Sequence, residues 1–256
     1  MLPGWMMPIE QLIDMLVTTP SPEAGRILAV LPPERFRPVV DGMKPDDLQR
    51  IIAGAKPADQ AEIMVMLPWE AVPDILRSVS QDTAARMVSA LPVKRALKVF
   101  SIMHATEVAM LLEAMPPDRR DPLLREMDPQ HAAGFMALMY ERRVARVFSR
   151  GSIHVTTPEN GPDGVLMAEA FGRTILISAR YLTGRDFTAE DLRHAEDLAR
   201  RWRADGVLAV TNARLSRDAA EATQEAHRQG WPVDVVSWTD SGHDGMLLRA
   251  LVALIR

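Results

Sequence analysis

Two groups of arginines are placed where they could meet phosphates: Arg142, Arg143, Arg146 and Arg150, and then Arg200, Arg201 and Arg203. A guanidinium presents a planar fork of N–H donors that fits phosphate oxygens. Each phosphate neutralised this way releases a counterion, the usual source of sequence-independent affinity for nucleic acid. The competing reading puts each group at a helix C-terminus, where cations suit the helix dipole and face solvent. The charge balance leans towards that reading. There are 30 basic and 34 acidic side chains, a net of −4, and residues 150–256 hold 13 arginines against 15 acids. A dedicated nucleic-acid binder shows a basic excess.

Other chemistries find less support. The chain has no cysteine, which excludes disulfides, thiolate metal sites and cysteine nucleophiles. His154, His194, His227 and His243 are scattered with no pair at metal-ligand spacing, and read as surface or capping residues. Gly161, Gly164 and Gly172 fit turns rather than a phosphate-binding loop. Ser178 lies in an apolar run without a nucleophile elbow, so a serine hydrolase is not expected. Only four of the 30 basic residues are lysines (Lys44, Lys56, Lys94 and Lys98) and 26 are arginines. A GC-rich coding sequence explains the ratio, but it leaves no lysine after Lys98.

These residues must be positioned by elements of two kinds. At 256 residues, 47% hydrophobic and 25% charged, the chain is globular and long enough for two domains. The opening Met1-Leu2-Pro3-Gly4-Trp5 has no basic leader, and no run reaches about 18 apolar residues. The expectation is a cytoplasmic protein with no membrane insertion. In the first half an apolar residue recurs every twelve positions: Leu31, Met43, Ala55, Leu67, Val79, Leu91, Met103, Met115, Met127 and Met139. An apolar pair precedes each by four and three positions, from Ile27-Leu28 to Phe135-Met136, which puts all three on one helical face. Proline with an acid follows in several repeats, as in Pro32-Pro33-Glu34 and Lys44-Pro45-Asp46, and suits a helix's first turn. A unit is thus a helix of roughly nine residues and a turn of about three. Helices so short are marginal alone, so they must stack as an α-solenoid. The methionines at repeat positions fill its core.

This repeat resembles the cytosolic N-terminal domain of MgtE-type magnesium transporters over about residues 22–148. The carrying residues are Leu31-Pro32-Pro33-Glu34-Arg35, Met115-Pro116-Pro117-Asp118-Arg119-Arg120 and Met127-Asp128-Pro129-Gln130-His131-Ala132-Ala133. The resemblance implies a superhelix of short helices. The transporter's membrane domain and nucleotide-binding-like module have no counterpart, so transport is not expected. A sensing role for Mg²⁺ is the analogy's remaining implication. Asp46, Asp47 and Asp118 could hold a cation at helix starts, or could simply be first-turn acids.

The pattern changes near Ser149. Strands are expected near Ile153–Thr156, Val165–Glu169, Thr174–Ser178, Val207–Thr211 and Val233–Val236, and helices over Ala189–Arg203, Arg217–Arg228 and Asp244–Ile255, with turns between. The segments Pro162–Tyr181 and Ala204–Ala220, in order, spacing and hydrophobic pattern, resemble the Mrr-type restriction-endonuclease domain over about residues 150–238. In that family an acid precedes a hairpin whose second strand ends in Gln/Glu-x-Lys. Acids there hold Mg²⁺, which polarises the attacking water of phosphodiester hydrolysis. By that resemblance Asp163 and Glu169 are the candidate metal-binding and catalytic acids, although a gap-light alignment puts Val165 at the first position. The triplet falls on Ile177-Ser178-Ala179 or Ser178-Ala179-Arg180. Neither contains the acid or the lysine. Arg180 cannot act as a base, though it could contact phosphate.

The expected fold is therefore α plus α/β. Residues 1–148 form an α-solenoid with a 12-residue period, and residues 149–256 a restriction-endonuclease-like mixed sheet flanked by helices. The expected function is a non-catalytic interaction or scaffold protein with a degenerate nuclease fold. It would meet a protein partner through the solenoid and, weakly, nucleic acid through Arg142, Arg143, Arg146, Arg150 and Arg180. No cofactor is expected. The alternative is a divergent Mg²⁺-dependent DNA endonuclease of a restriction or defence system using Asp163 and Glu169. The apolar run Met246–Ile255 is expected to pack across the sheet, or else to meet another chain in an oligomer.

Overall fold

A computed structural model describes residues 7–151, 153–159, 161–239 and 241–255. The opening segment read above for a leader falls outside the described residues. The chain divides into two compact units, Met1–Ala132 and Ala133–Arg256.

The first unit is a run of short helices: α1 (Ile9–Thr18), α2 (Ser21–Ala29), α3 (Pro33–Gly42), α4 (Pro45–Gly54), α5 (Pro57–Met66), α6 (Val72–Arg77), α7 (Gln81–Ser89), α8 (Val93–Phe100), α9 (Ala105–Ala114) and α10 (Pro117–Glu126). The twelve-residue period sets both ends of several units. Proline opens α3, α4, α5 and α10, where its missing N–H costs no helical hydrogen bond. The repeat residues Met43, Ala55, Leu67 and Met115 sit at helix C-caps, turn the backbone to extended geometry and bury their side chains. The pairs Val39-Val40, Ile51-Ile52, Ile63-Met64, Ile75-Leu76 and Leu111-Leu112 are buried with them. Many helices pack on their next-but-one neighbours, α1 on α3, α2 on α4, α5 on α7, α7 on α9 and α8 on α10, and α2 packs on α5 as well.

The arginine of the Leu-Pro-Pro-Glu-Arg motif has a structural task. Arg35, on the first turn of α3, donates to the Met7 carbonyl. Arg95, at the same phase of the repeat on α8, donates to the Leu67 carbonyl at the end of α5. Each stitches a helix start to a carbonyl 28 positions earlier; that of Leu67, at the α5 C-cap, is an acceptor without a helical partner. The first-turn acids behave as expected of dipole and surface charges. Asp47 pairs with Arg50 at 3.4 Å, and Asp46 and Asp118 are exposed.

Close approach is built in at Gly25. A Cβ there would fall onto the Ala55 Cβ and lie 3.2 Å from its Cα. Gly25→Ala is therefore expected to cost about 1–3 kcal/mol through overpacking between α2 and the end of α4, despite the better helix propensity of alanine. A lowered midpoint in urea unfolding would register it.

The unit division falls inside α11 (Pro129–Arg150), ahead of the change of character at Ser149. The repeat residue Met139 is followed by Tyr140-Glu141-Arg142-Arg143, with no proline, so the helix runs on. Phe135, Met136 and Met139 stay half-buried, whereas Tyr140, Val144, Val147 and Phe148 enter the core of the second unit.

That unit is a five-stranded mixed sheet of β1 (Val155–Thr156), β2 (Val165–Ala170), β3 (Arg173–Arg180), β4 (Gly206–Thr211) and β5 (Val233–Ser237), in that spatial order. β1, β2 and β3 pair antiparallel; β3, β4 and β5 run parallel. The parallel steps cross over through α12 (Ala189–Arg201) and α13 (Arg217–Arg228), and α14 (Asp244–Ile255) follows β5. Strand alternation separates two cores. Leu166, Ile175, Ile177, Ala179, Leu208 and Val210 face α11 and α14. Val165, Met167, Leu176, Val207, Ala209 and Val233 face α12 and α13. The apolar C-terminal run packs on the sheet through Leu247, Leu251, Leu254 and Ile255. At the β2–β3 turn, Phe171 (φ 53°) and Gly172 (φ 76°) both adopt left-handed geometry, as a two-residue hairpin requires. No helix among the described residues is long and apolar enough to cross a membrane.

Candidate functional site

Two places in the second unit gather polar chemistry. The first is at the start of β2. Asp163 is exposed, and Gly164 (φ 81°) turns the chain into the strand. The Gly164 N–H donates to Glu141 Oε2 of α11 at 2.8 Å. Burial pushes the Glu141 carboxyl above its ordinary value. The Gly164 N–H and the Arg142 charge pull it down, and the Asp163 carboxylate raises it further. Glu141 was not singled out in the sequence. Its signal was phase: it shares a helical face with buried Val144 and Phe148, three and seven positions on.

Glu169, the second acid implied by the nuclease resemblance, is exposed at the opposite end of β2 and pairs across to Thr174. The length of the strand separates it from Asp163 by roughly 20 Å, so the two cannot share an ion. On the facing strand, Val165 pairs with Ser178. Ser178 is buried on the α12 side, and Ile177 and Ala179 fill the α11 side. Among the described residues no group of three His, Asp or Glu gathers at metal-binding distance. Among the described residues, the two acids that the resemblance implies lie too far apart to hold one Mg²⁺ between them.

Arg180 turns to the α12 face, where its Nη2 lies 3.9 Å from Asp191 Oδ1. Asp191 anchors this corner. Arg185 donates to both of its oxygens, at 2.6 and 2.8 Å. Thr188 adds its backbone N–H at 3.0 Å and its hydroxyl at 3.1 Å, which closes a capping box at the start of α12. These donors, Arg185 foremost, hold the Asp191 carboxyl well below the usual carboxylate range. Nearby, Asn212 clamps Leu182, accepting from its N–H at 2.6 Å and donating to its carbonyl at 2.9 Å.

The second place is a cleft of about 200 Å³ lined by Arg143, Arg146, Val147, Arg150, Trp238 and Asp244. The three arginines follow at i, i+3 and i+7 of α11, one helical face. Arg143 lies over the Trp238 ring at 5.2 Å and donates to the Thr239 carbonyl at 3.1 Å. Trp238 is buried, its ring against Tyr140 at 5.7 Å and its indole N–H donating to Asp244 Oδ1 at 3.2 Å. Tyr140 donates its hydroxyl to the Trp238 carbonyl at 2.9 Å, and burial holds that phenol far above its ordinary range. The structure thus brings together three of the four predicted arginines of α11. Arg142 does not line the cleft, and Arg180 lies on the opposite face of the sheet. Trp238 and Asp244 were missed in the sequence, because no local pattern ties the end of β5 to α11. Of the other arginine group, Arg200 pairs within its own helix with Asp197 at 2.9 Å and Glu196 at 3.6 Å, as a solvated helix end does.

Comparison with known proteins supplies one further fact. Residues 55–149 match the model of the MgtE intracellular N domain. The helical repeat is similar to that domain over a shorter span than the residues 22–148 read from the sequence. No curated protein and no solved structure matches the chain. The MgtE-like span begins at the C-cap of α4 and ends one residue short of the end of α11; it includes the α11 arginines Arg142, Arg143 and Arg146.

Proposed function

We propose that this is a non-catalytic interaction protein. Its MgtE-like helical repeat serves as the surface for a protein partner, and its second unit is a degenerate restriction-endonuclease-like core kept as a scaffold with weak affinity for nucleic acid. A cytoplasmic setting belongs to this reading. The β2–β3 hairpin, crossover helix α12, parallel strand β4 and helix α13 keep the order of the Mrr-type pattern, which supports the nuclease resemblance. One observation carries the loss of catalysis: the strand facing Asp163 supplies Ser178, Ala179 and an Arg180 turned towards Asp191, with Glu169 at the far end of its strand. Hydrolysis in the manner of that family needs acids converging on a metal, and a guanidinium cannot replace an amine as base.

The alternative, a divergent Mg²⁺-dependent endonuclease, is favoured by the approach of Glu141 to Asp163. The two readings separate in one assay. Incubated with Mg²⁺ or Mn²⁺ and linear, supercoiled or single-stranded DNA, the full chain is expected to leave every substrate intact. Cleavage that Asp163→Ala abolishes would establish the alternative.

A further inference from the structure

We infer that the cleft between the C-terminal half of α11 and the start of α14 binds a phosphate group, presented by a nucleic-acid strand or by a free nucleotide, without reading the base. This deepens the nucleic-acid part of the proposed function and rests on that reading for the ligand remaining uncut. The cleft's size bears on the class of ligand. Pockets for drug-sized molecules run to about 300–1,000 Å³, and about 200 Å³ suits a charged group rather than a whole nucleotide.

The chemistry of the lining narrows the group. Arg143, Arg146 and Arg150 line one opening, and a phosphate offers acceptor oxygens in several directions where a carboxylate offers two in one plane. Arg143 is pre-positioned by the Trp238 ring and the Thr239 carbonyl, so little side-chain freedom is left for it to lose on binding. Among the described residues the one carboxylate in the lining, Asp244, accepts the Trp238 indole N–H, which turns part of its charge to the wall. Trp238 is only 2% exposed, its ring covered by Tyr140 and Arg143, so no base can stack on it. Recognition therefore stops at the phosphate. The overall charge of the unit does not oppose this, because a single group is held by contacts at hydrogen-bond range and not by the long-range field.

The test uses the full chain with dye-labelled single-stranded dT and dA oligonucleotides, and competition by inorganic phosphate and by a nucleoside monophosphate. Expected are similar affinities for dT and dA. The Arg146→Gln/Arg150→Gln variant should lose roughly tenfold or more in affinity, and its dependence of log K on log salt should flatten by about 1. Arg200→Gln/Arg201→Gln, on the other side of the sheet, should bind as the parent. Circular dichroism and melting verify that both variants fold. Strong displacement of the oligonucleotide by nucleoside monophosphate, with the monophosphate binding directly in calorimetry, would assign the cleft to a free nucleotide; binding of oligonucleotide with weak competition would assign it to a strand. Absence of binding by every probe, unchanged binding by the Arg146/Arg150 variant, or equal loss in the Arg200/Arg201 variant would overturn the inference. Recovery of the oligonucleotide at full length keeps this result separate from the question of cleavage.

Discussion

Gly164→Ala is expected to destabilise the second unit by about 3 kcal/mol or more, by strain and overpacking together. The residue holds φ at 81°, a region that carries a steric cost for residues with a Cβ. A Cβ there would also lie 2.5 Å from the Ala179 carbonyl oxygen. That oxygen belongs to the neighbouring strand's backbone and has no rotamer by which to retreat. Strained dihedrals cost about 1–3 kcal/mol and overpacking a similar amount. The same backbone shift would lengthen two hydrogen bonds. One runs from the Gly164 N–H to Glu141 at 2.8 Å, the other from the Ala179 N–H to the Gly164 carbonyl at 2.7 Å. The melting temperature should fall by roughly 10 °C, and a variant that melts with the parent would show that the β2 turn is free to rearrange.

Asp191→Asn should be nearly as damaging, and its effect should depend on pH. The carboxylate is 7% exposed and accepts from Arg185, the Thr188 N–H and the Thr188 hydroxyl. Charge-assisted hydrogen bonds contribute about 1.5–3 kcal/mol each and a cap about 1. Arg185 is half-exposed and regains water when released, which discounts the ion pair. A loss of roughly 2–3 kcal/mol near neutral pH remains. Because the folded-state pKa is depressed, the contribution is fully present above the unfolded value of about 3.9 and is lost as pH falls from there towards the folded value. The stability gap between parent and variant should therefore be constant from about pH 7 to about 5 and narrow below about 4. A gap that stays constant down to about pH 2 would contradict the assignment.

Much of this architecture was legible in the residues. The boundaries read for α13 and α14 coincide with the structure, and the strands were placed to within a few residues, because turn residues and β-branched runs mark them locally. The helices of the twelve-residue repeat were equally plain, since proline and the buried pair recur in phase. What failed to show in sequence was non-local. Glu141 sits in a run of charges that reads as a solvated face, and only its phase with Val144 and Phe148 hints that it turns inward. Asp163 and Glu169 were put forward together by the nuclease resemblance, but strand geometry carries them apart. Trp238 meets Arg143 from the far end of the second unit, a contact that no spacing rule reaches. Asp191, by contrast, could have been found from Thr188-Ala189-Glu190-Asp191, an N-terminal capping pattern.

The next-but-one packing of the helical repeat has a consequence for how such a chain can change length. Each helix meets only helices a few places away in the chain: α1 packs on α3, α2 on α4 and α5, and α7 on α9. Removing a single twelve-residue unit would leave the packed pairs on either side of the cut as they are and remake only those that span it. Gain and loss in this half are therefore felt at one junction, where a few helices meet new partners, and the rest of the run keeps its packing.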